Sequence, residues 1–177
     1  MKLLYSLMGL SIFIVACQPK ADNSANEKFE KNSQTVMANL KGFESENIDY
    51  SNYADNFVFM DTGFGSKDSL SLDDMKNMDK AMWANYDFKI LTDPLVLLPG
   101  VNPETKMADG SVRYYADWQV TLPATDSTEA RSGVIQYYEY FVFDENGKIT
   151  QQGGYGDFGG LFGYLNGDDD DNNEDME

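Results

Sequence analysis

The chain has 177 residues and a formal net charge of −17, from 13 basic and 30 acidic side chains. This charge argues against nucleic acid as a partner, because contacts to phosphates depend on lysine and arginine. The lack of histidine excludes serine–histidine triads and histidine-ligated metals, and the single cysteine excludes an internal disulfide bond. We therefore expect no metal and no cofactor.

The first 16 residues are typical of a signal peptide. Lys2 precedes an apolar run of about 13 residues, which is shorter than the roughly 20 residues of a membrane-spanning helix. The run ends in Ile14, Val15, Ala16 and Cys17, which resemble a bacterial lipobox. The resemblance implies cleavage before Cys17, acyl chains on its thiol and new amino group, and attachment to the membrane through these chains. The alternative is an ordinary secretory signal with an incidental cysteine.

The rest of the sequence is long enough for one domain. Residues 17–27 comprise the lipidated cysteine and a polar tether, residues 28–166 the domain, and residues 167–177 a disordered acidic tail. Calcium binding by the tail is the sharper alternative, but the run lacks the turn glycine and the spaced ligands of an EF-hand. We expect the protein in the cell envelope of a Gram-negative bacterium, at the periplasmic or surface face of the outer membrane.

Helices are predicted in the first half of the domain. Apolar residues recur at helical spacing over residues 29–48, and a short helical turn at 50–55 and an apolar stretch at 57–60 follow. Ser71 and Asp74 resemble a capping box and begin a helix that extends to about residue 85. One stripe of this helix is apolar, and it forms either core or the pliable wall of a ligand cavity. The stripe consists of Leu72, Met75, Met78, Met82 and Tyr86.

The hydrophobic period then changes to two, which predicts strands at residues 88–98, 112–122, 132–143 and 148–155. Asn146 and Gly147 separate the last two strands and indicate a β-hairpin. Around Trp118, polar and apolar residues alternate, so one face of that strand is wetter. Helices followed by an antiparallel meander predict an α+β fold, in which helices pack on one side of a curved sheet.

These elements resemble the nuclear transport factor 2-like superfamily, in its SnoaL-like and ketosteroid isomerase branch. The matching segments are residues 53–55 leading to Asp61, residues 91–94, and above all residues 143–149 followed by Tyr155, Asp157, Phe158 and Leu161. The resemblance covers nearly all of residues 28–166. It implies a cone-shaped sheet closed by helices, with a cavity for a small apolar ligand or an active site.

The resemblance also implies candidate site residues. Asp61 lies where the isomerases have their general base, and Glu139 lies where they have an acidic oxyanion donor. The position of a tyrosine that the isomerases require on the first helix is occupied here by Met37. One of the three catalytic parts is therefore missing.

The position of Glu139 is unusual without reference to any family. It shares a strand face with Ile135, Tyr137 and Phe141, so an interior face would bury its carboxyl among apolar groups. Burial raises the pKa of such a group and keeps it protonated as a hydrogen-bond donor. In the ketosteroid isomerases such a donor acts beside a base, whose place the resemblance gives to Asp61. The alternative is that Glu139 pairs with an arginine or a tyrosine hydroxyl, and that Asp61 only ends a strand.

We favour a lipid-anchored, non-catalytic module that binds a small apolar or aromatic ligand or a partner protein. Its cavity would be lined by Met37, Met75, Met78, Met82, Tyr137 and Phe141. The alternative function is a cofactor-independent isomerase, cyclase or hydrolase that uses Asp61 and Glu139 as its acid/base pair. We also expect a homodimer through the convex sheet face, which carries Tyr138, Tyr140 and Val142 opposite the Glu139 face.

Overall fold

The computed structural model describes residues 23–66 and 69–167. Cys17, the predicted signal peptide and residues 168–177 of the acidic tail lie outside the described residues. None of the described helices is both long enough and apolar enough to cross a membrane.

The described chain contains helices α1 (Ser24–Glu44), α2 (Leu72–Trp83) and α3 (Phe158–Asn166), with a short 3-10 helix at Tyr50–Asn52. Its strands are β1 (Tyr53–Met60), β2 (Asp87–Ile90), β3 (Leu97–Val101), β4 (Ala108–Leu122), β5 (Arg131–Phe143) and β6 (Ile149–Tyr155). They form one sheet in the order β1-β6-β5-β4-β2, and β3 also pairs with β4. The predicted α+β fold with helices on a curved sheet is confirmed.

The sheet is mixed, whereas a purely antiparallel sheet was predicted. The pairs β2–β4, β3–β4, β4–β5 and β5–β6 are antiparallel, and β1 runs parallel to β6. Only strands joined by tight hairpins must be antiparallel. Because β1 and β6 are far apart in the chain, their relative direction depends on the path of the whole chain and cannot be predicted from either segment.

Helix α1 begins within the predicted tether and ends four residues before its predicted end. It packs mainly on β4, and Val36 and Leu40 are its most buried apolar residues. Its end is set at Gly42, where a Cβ atom would lie 2.9 Å from the carbonyl oxygen of Asn47. The Asn47 amide donates to the Gly42 carbonyl at 2.7 Å, so the chain folds back over the glycine and the helix cannot continue.

The predicted strand at residues 88–98 is two strands, β2 and β3. Pro94 lies between them after a cis peptide bond with Asp93. Proline has no backbone N–H to donate to a ladder, so the pairing with β4 is interrupted there. The predicted hairpin at Asn146 and Gly147 is present, and Gly147 adopts the left-handed conformation at φ 79°.

Helix α3 was not predicted, since glycine at positions 159, 160 and 163 disfavours a helix by about 1 kcal/mol each. Two local features and one tertiary feature overcome this cost. Asp157 caps the start by accepting from the Gly160 amide at 2.9 Å, and Gly167 ends the helix in the left-handed conformation. Leu165 is 1% exposed, so docking on the sheet stabilises the helix.

Candidate functional site

The carboxyl of Glu139 lies on the buried face of the sheet and makes two short hydrogen bonds. Glu139 is 5% exposed and stands opposite Tyr114 on β4 and Gly154 on β6. Its Oε2 accepts from the Tyr114 hydroxyl at 2.7 Å, and its Oε1 accepts from Gln152 Nε2 at 2.7 Å. The predicted burial of this strand face is confirmed, because Ile135 and Phe141 are also buried.

Gln152 extends this contact into a chain of polar groups. Its Oε1 accepts from the Tyr53 hydroxyl at 2.9 Å, and that hydroxyl accepts from Asn39 Nδ2 at 2.6 Å. The chain thereby joins α1, β1, β6, β5 and β4 beneath the helices. Buried polar groups need such partners, and a fully paired network holds each member in one orientation.

Burial is the main influence on the charge of Glu139. It raises the pKa of the carboxyl from 4.5 to about 7, although the hydrogen bonds from Gln152 and Tyr114 act in the opposite direction. The nearby carboxyl of Asp79 adds to the increase. Both alternatives from the sequence hold in part: Glu139 is hydrogen-bonded to a tyrosine, and its proton is nevertheless retained up to about neutral pH.

The Tyr137 hydroxyl lies against Gly154, the residue that pairs with Glu139 on the neighbouring strand. The tyrosine ring covers Gly154 and Gly156, and a Cβ atom at Gly154 would collide with the Tyr137 hydroxyl. Burial, then Glu139, then Asp61 raise the pKa of Tyr137 well above its usual value, so the hydroxyl stays protonated. Among the described residues this hydroxyl has no hydrogen-bond partner, which leaves its proton available to an oxygen atom of a ligand.

Asp61 lies one residue beyond β1 and is half-buried. Its Oδ1 accepts from the Gly63 amide at 3.0 Å. The neighbouring Thr62 hydroxyl donates to the Gly154 carbonyl at 2.6 Å, which ties this segment to β6 at the position opposite Glu139. Thr62 and Glu139 thus both lie at Gly154, which the Tyr137 ring covers. No hydrogen bond between described residues joins the carboxyls of Asp61 and Glu139.

A second buried carboxyl, Asp79 on α2, was missed in the sequence. It is 5% exposed, and its Oδ2 accepts from the Tyr50 hydroxyl at 2.8 Å. Burial raises its pKa from 3.8 to about 6. Its burial could have been predicted from the spacing, because residue 79 follows Met75 by four positions and so lies on the same helix face as this buried residue.

The residues predicted to line a cavity lie mostly in the core. Met75 and Phe141 are buried, and Met78, Met82 and Tyr137 are partly buried against the core. Met37 is not brought to Glu139: it lines a surface groove of about 420 Å³ on α1. A second groove, of about 630 Å³, lies between β5 and α3, and neither groove is lined by Asp61 or Glu139.

Within residues 23–66 and 69–167, no three acidic or cysteine side chains are grouped to hold a metal ion.

No protein-family model matches the chain, and no curated protein matches it. Solved structures do. A protein from Pseudomonas putida assigned as a polyketide cyclase is 15% identical, with a TM-score of 0.57 over 76% of this chain and 96% of that one. An LEH-like epoxide hydrolase from M. tuberculosis is 15% identical, with a TM-score of 0.52 over 77% and 90% of the two chains.

A third similar structure is SalBIII, an epoxide hydrolase/cyclase-like enzyme in pyran ring formation in the polyether salinomycin. It is 13% identical, with a TM-score of 0.56 over 76% of this chain and 95% of that one. At these identities the similarity concerns the fold. The chain therefore has the nuclear transport factor 2-like cone fold, which it shares with SnoaL-like polyketide cyclases and LEH-like epoxide hydrolases.

Proposed function

We propose that the protein is a cofactor-independent acid–base enzyme of the cyclase or epoxide hydrolase type, with Glu139 as the group that transfers the proton. The observation that carries this proposal is a buried carboxyl whose pKa is about 7. A general acid or base works best when its pKa lies near the working pH, and such perturbed groups are concentrated in active sites. The names of the similar structures support an enzyme rather than a passive module.

The neighbouring groups have distinct roles in this proposal. The Tyr137 hydroxyl donates a hydrogen bond to a substrate oxygen, and Glu139 gives its proton to that oxygen or takes one from the reacting carbon or hydroxyl. Tyr114 and Gln152 orient the Glu139 carboxyl. Asp61 precedes Thr62, which is hydrogen-bonded to the strand position opposite Glu139, and it is the base that completes the pair.

The substrate is a small and largely apolar molecule, because Ile135 and Phe141, which share the buried face of β5 with Glu139, belong to an apolar and aromatic core. Glu139 is only 5% exposed, so a substrate reaches its carboxyl when the side chains around it move aside. The partly buried Met78 and Met82 on α2 are suited to this, since an unbranched thioether side chain repacks at low cost.

The test is a turnover assay on a panel of small apolar epoxides and cyclisable hydroxy-epoxides, with products identified by mass spectrometry. Wild type is expected to form a diol or a ring product, and Glu139→Gln is expected to lose about a hundredfold or more in rate. Glu145→Gln is the matched control, because Glu145 is an exposed glutamate in the hairpin. Equal rates for wild type and Glu139→Gln would remove Glu139 from the mechanism.

A second candidate is a module that binds an apolar ligand without reacting with it. One observation favours it: both carboxyl oxygens of Glu139 already have protein partners, as in a network that only stabilises the core. In that case an apolar molecule copurifies with the protein, remains bound in Glu139→Gln, and is recovered chemically unchanged.

We further propose that Cys17 carries acyl chains that hold the protein in a bacterial cell envelope. The support is the short apolar run that ends in the lipobox-like residues 14–17. Several acyl chains together anchor a protein stably, whereas one chain does so only marginally.

A further inference from the structure

The first half of β5 is paired with a strand on only one side. On that side β4 pairs with it continuously, from Leu122 opposite Arg131 onward. On the other side β6 reaches only as far as Tyr155, which pairs with Tyr138. No described backbone hydrogen bond outside the helices and strand ladders involves residues 132–136. These residues therefore form a free strand edge in the middle of the sheet.

A groove of about 630 Å³ runs along this edge. One wall consists of the five consecutive residues from Ser132 to Gln136, and the other consists of Asp157, Leu161 and Tyr164. Helix α3 packs on the inner face of β5 at Gly133, where a Cβ atom would collide with Leu161. The helix thus covers the face of the strand and leaves its edge open to the groove.

We infer that this groove binds an extended peptide segment of a partner protein, which adds to the free edge of β5 as a further strand. In a strand paired on one side, alternate residues direct their N–H and C=O groups away from the partner, and an added strand satisfies these groups. Five strand residues span about 17 Å, enough for a segment of about five to seven residues. On its inner face, every second side chain of the peptide contacts Leu161 and Tyr164.

The charge of the protein and the exposed apolar residues at the groove indicate which side chains the bound peptide should carry. One acidic and one basic side chain lie at the groove: Asp157 lines it, and the Arg131 guanidinium stacks on the Tyr164 ring at 4.8 Å from its centroid. The preference for a neutral or basic segment over an acidic one therefore comes from the net charge of −17 of the whole chain. Residues 168–171 of this chain are four aspartates, which makes the chain's own tail a poor occupant. Val134 is 57% exposed on the outer face and Tyr164 43% exposed on α3, so apolar side chains at alternate positions gain contacts on both faces.

The test uses the full-length chain and a blocked peptide of about seven residues in which lysine and valine alternate. The matched control peptide has the same sequence, with backbone N-methyl groups on residues that face both edges, so that neither edge of the peptide can pair with β5. Fluorescence anisotropy measures binding, and hydrogen exchange locates it. We expect the unmodified peptide to bind with a Kd below about 1 mM and to slow amide exchange within residues 132–136.

A pair of variants distinguishes binding of the peptide in the groove from nonspecific attraction of its lysines to the negatively charged surface. Tyr164→Ala is expected to weaken binding about tenfold, because it removes one apolar wall. Met107→Ala is expected to leave binding unchanged, since Met107 is an exposed apolar residue just before β4 and outside the groove.

Four results would overturn the inference. The first is an absence of binding, and the second is equal binding of the N-methylated peptide. The third is protection that maps away from residues 132–136. The fourth is slow exchange of these amides in the free protein, which would mean that the edge is already covered by the chain's own tail in a monomer, or by a second copy in a dimer.

Discussion

The replacement Glu139→Gln removes the ionisable group at the centre of the site and preserves its shape. Glutamine keeps an oxygen that accepts from Gln152, and its NH2 group donates to the Tyr114 oxygen as the protonated carboxyl would. The variant therefore resembles the protonated form of Glu139 at every pH. A comparison with wild type isolates the free energy of ionising this buried carboxyl.

The magnitude follows from the pKa of Glu139 in the folded and unfolded chain. A folded-state pKa of about 7 against 4.5 means that, between these values, the folded state retains a proton that the unfolded state has lost. Wild-type stability should therefore fall as pH rises through this window, by about 3 kcal/mol in total. Because the variant lacks this term, its stability should rise relative to wild type by about 2 to 3 kcal/mol between about pH 5 and pH 8.

Urea denaturation of both proteins at the two pH values measures the difference. Glu145→Gln, at an exposed hairpin position, should keep a constant offset from wild type. Asp79 contributes a similar pH-dependent free energy of unfolding in both proteins, so its contribution largely cancels in the difference between them. If Glu139→Gln instead becomes less stable relative to wild type at the higher pH, then the carboxyl is a stabilising anion. In that case the argument for a protonated acid, and with it the proposed proton transfer, fails.

Three further predictions concern other parts of the protein. Asp79→Asn should retain the Tyr50 hydrogen bond. Because the folded-state pKa of Asp79 is raised to about 6, the free energy of unfolding of this variant should rise relative to wild type by about 2 to 3 kcal/mol between about pH 4 and pH 8. Urea denaturation measures this difference, and a difference that does not change with pH would refute the burial of Asp79 as an acid. Cys17→Ser should move the protein from the membrane fraction to the soluble fraction, and a variant retained on membranes in high salt would contradict lipid anchoring. Light scattering at roughly 50 μM should give the mass of a homodimer, because Tyr115 and Tyr155 on the outer sheet face are more than half exposed. A monomer mass would count against a dimer interface on this face.

Much of the fold could be predicted from local patterns. The alternation along β4 was sufficient to assign its buried face, which Tyr114 and Trp118 share, because successive side chains of a strand point to opposite sides. The capping box of Ser71 and Asp74 was likewise sufficient for the start of α2, since both hydrogen bonds form within four residues. The same alternation put Glu139 on one face of β5 with Ile135 and Phe141, and the structure shows that this face is the buried one.

Other features depended on contacts between distant parts of the chain. Helix α3 contradicts its own glycine content and exists because the sheet buries one of its faces. The partners of Glu139, Tyr114 and Gln152, are 25 and 13 residues away, and the register of β4 and β6 selects them. The free edge of β5 likewise arises where β6 ends at Tyr155. Periodicity within a segment determines which side chains are buried, whereas only the tertiary pairing of strands determines what each buried group contacts and how strongly its pKa changes.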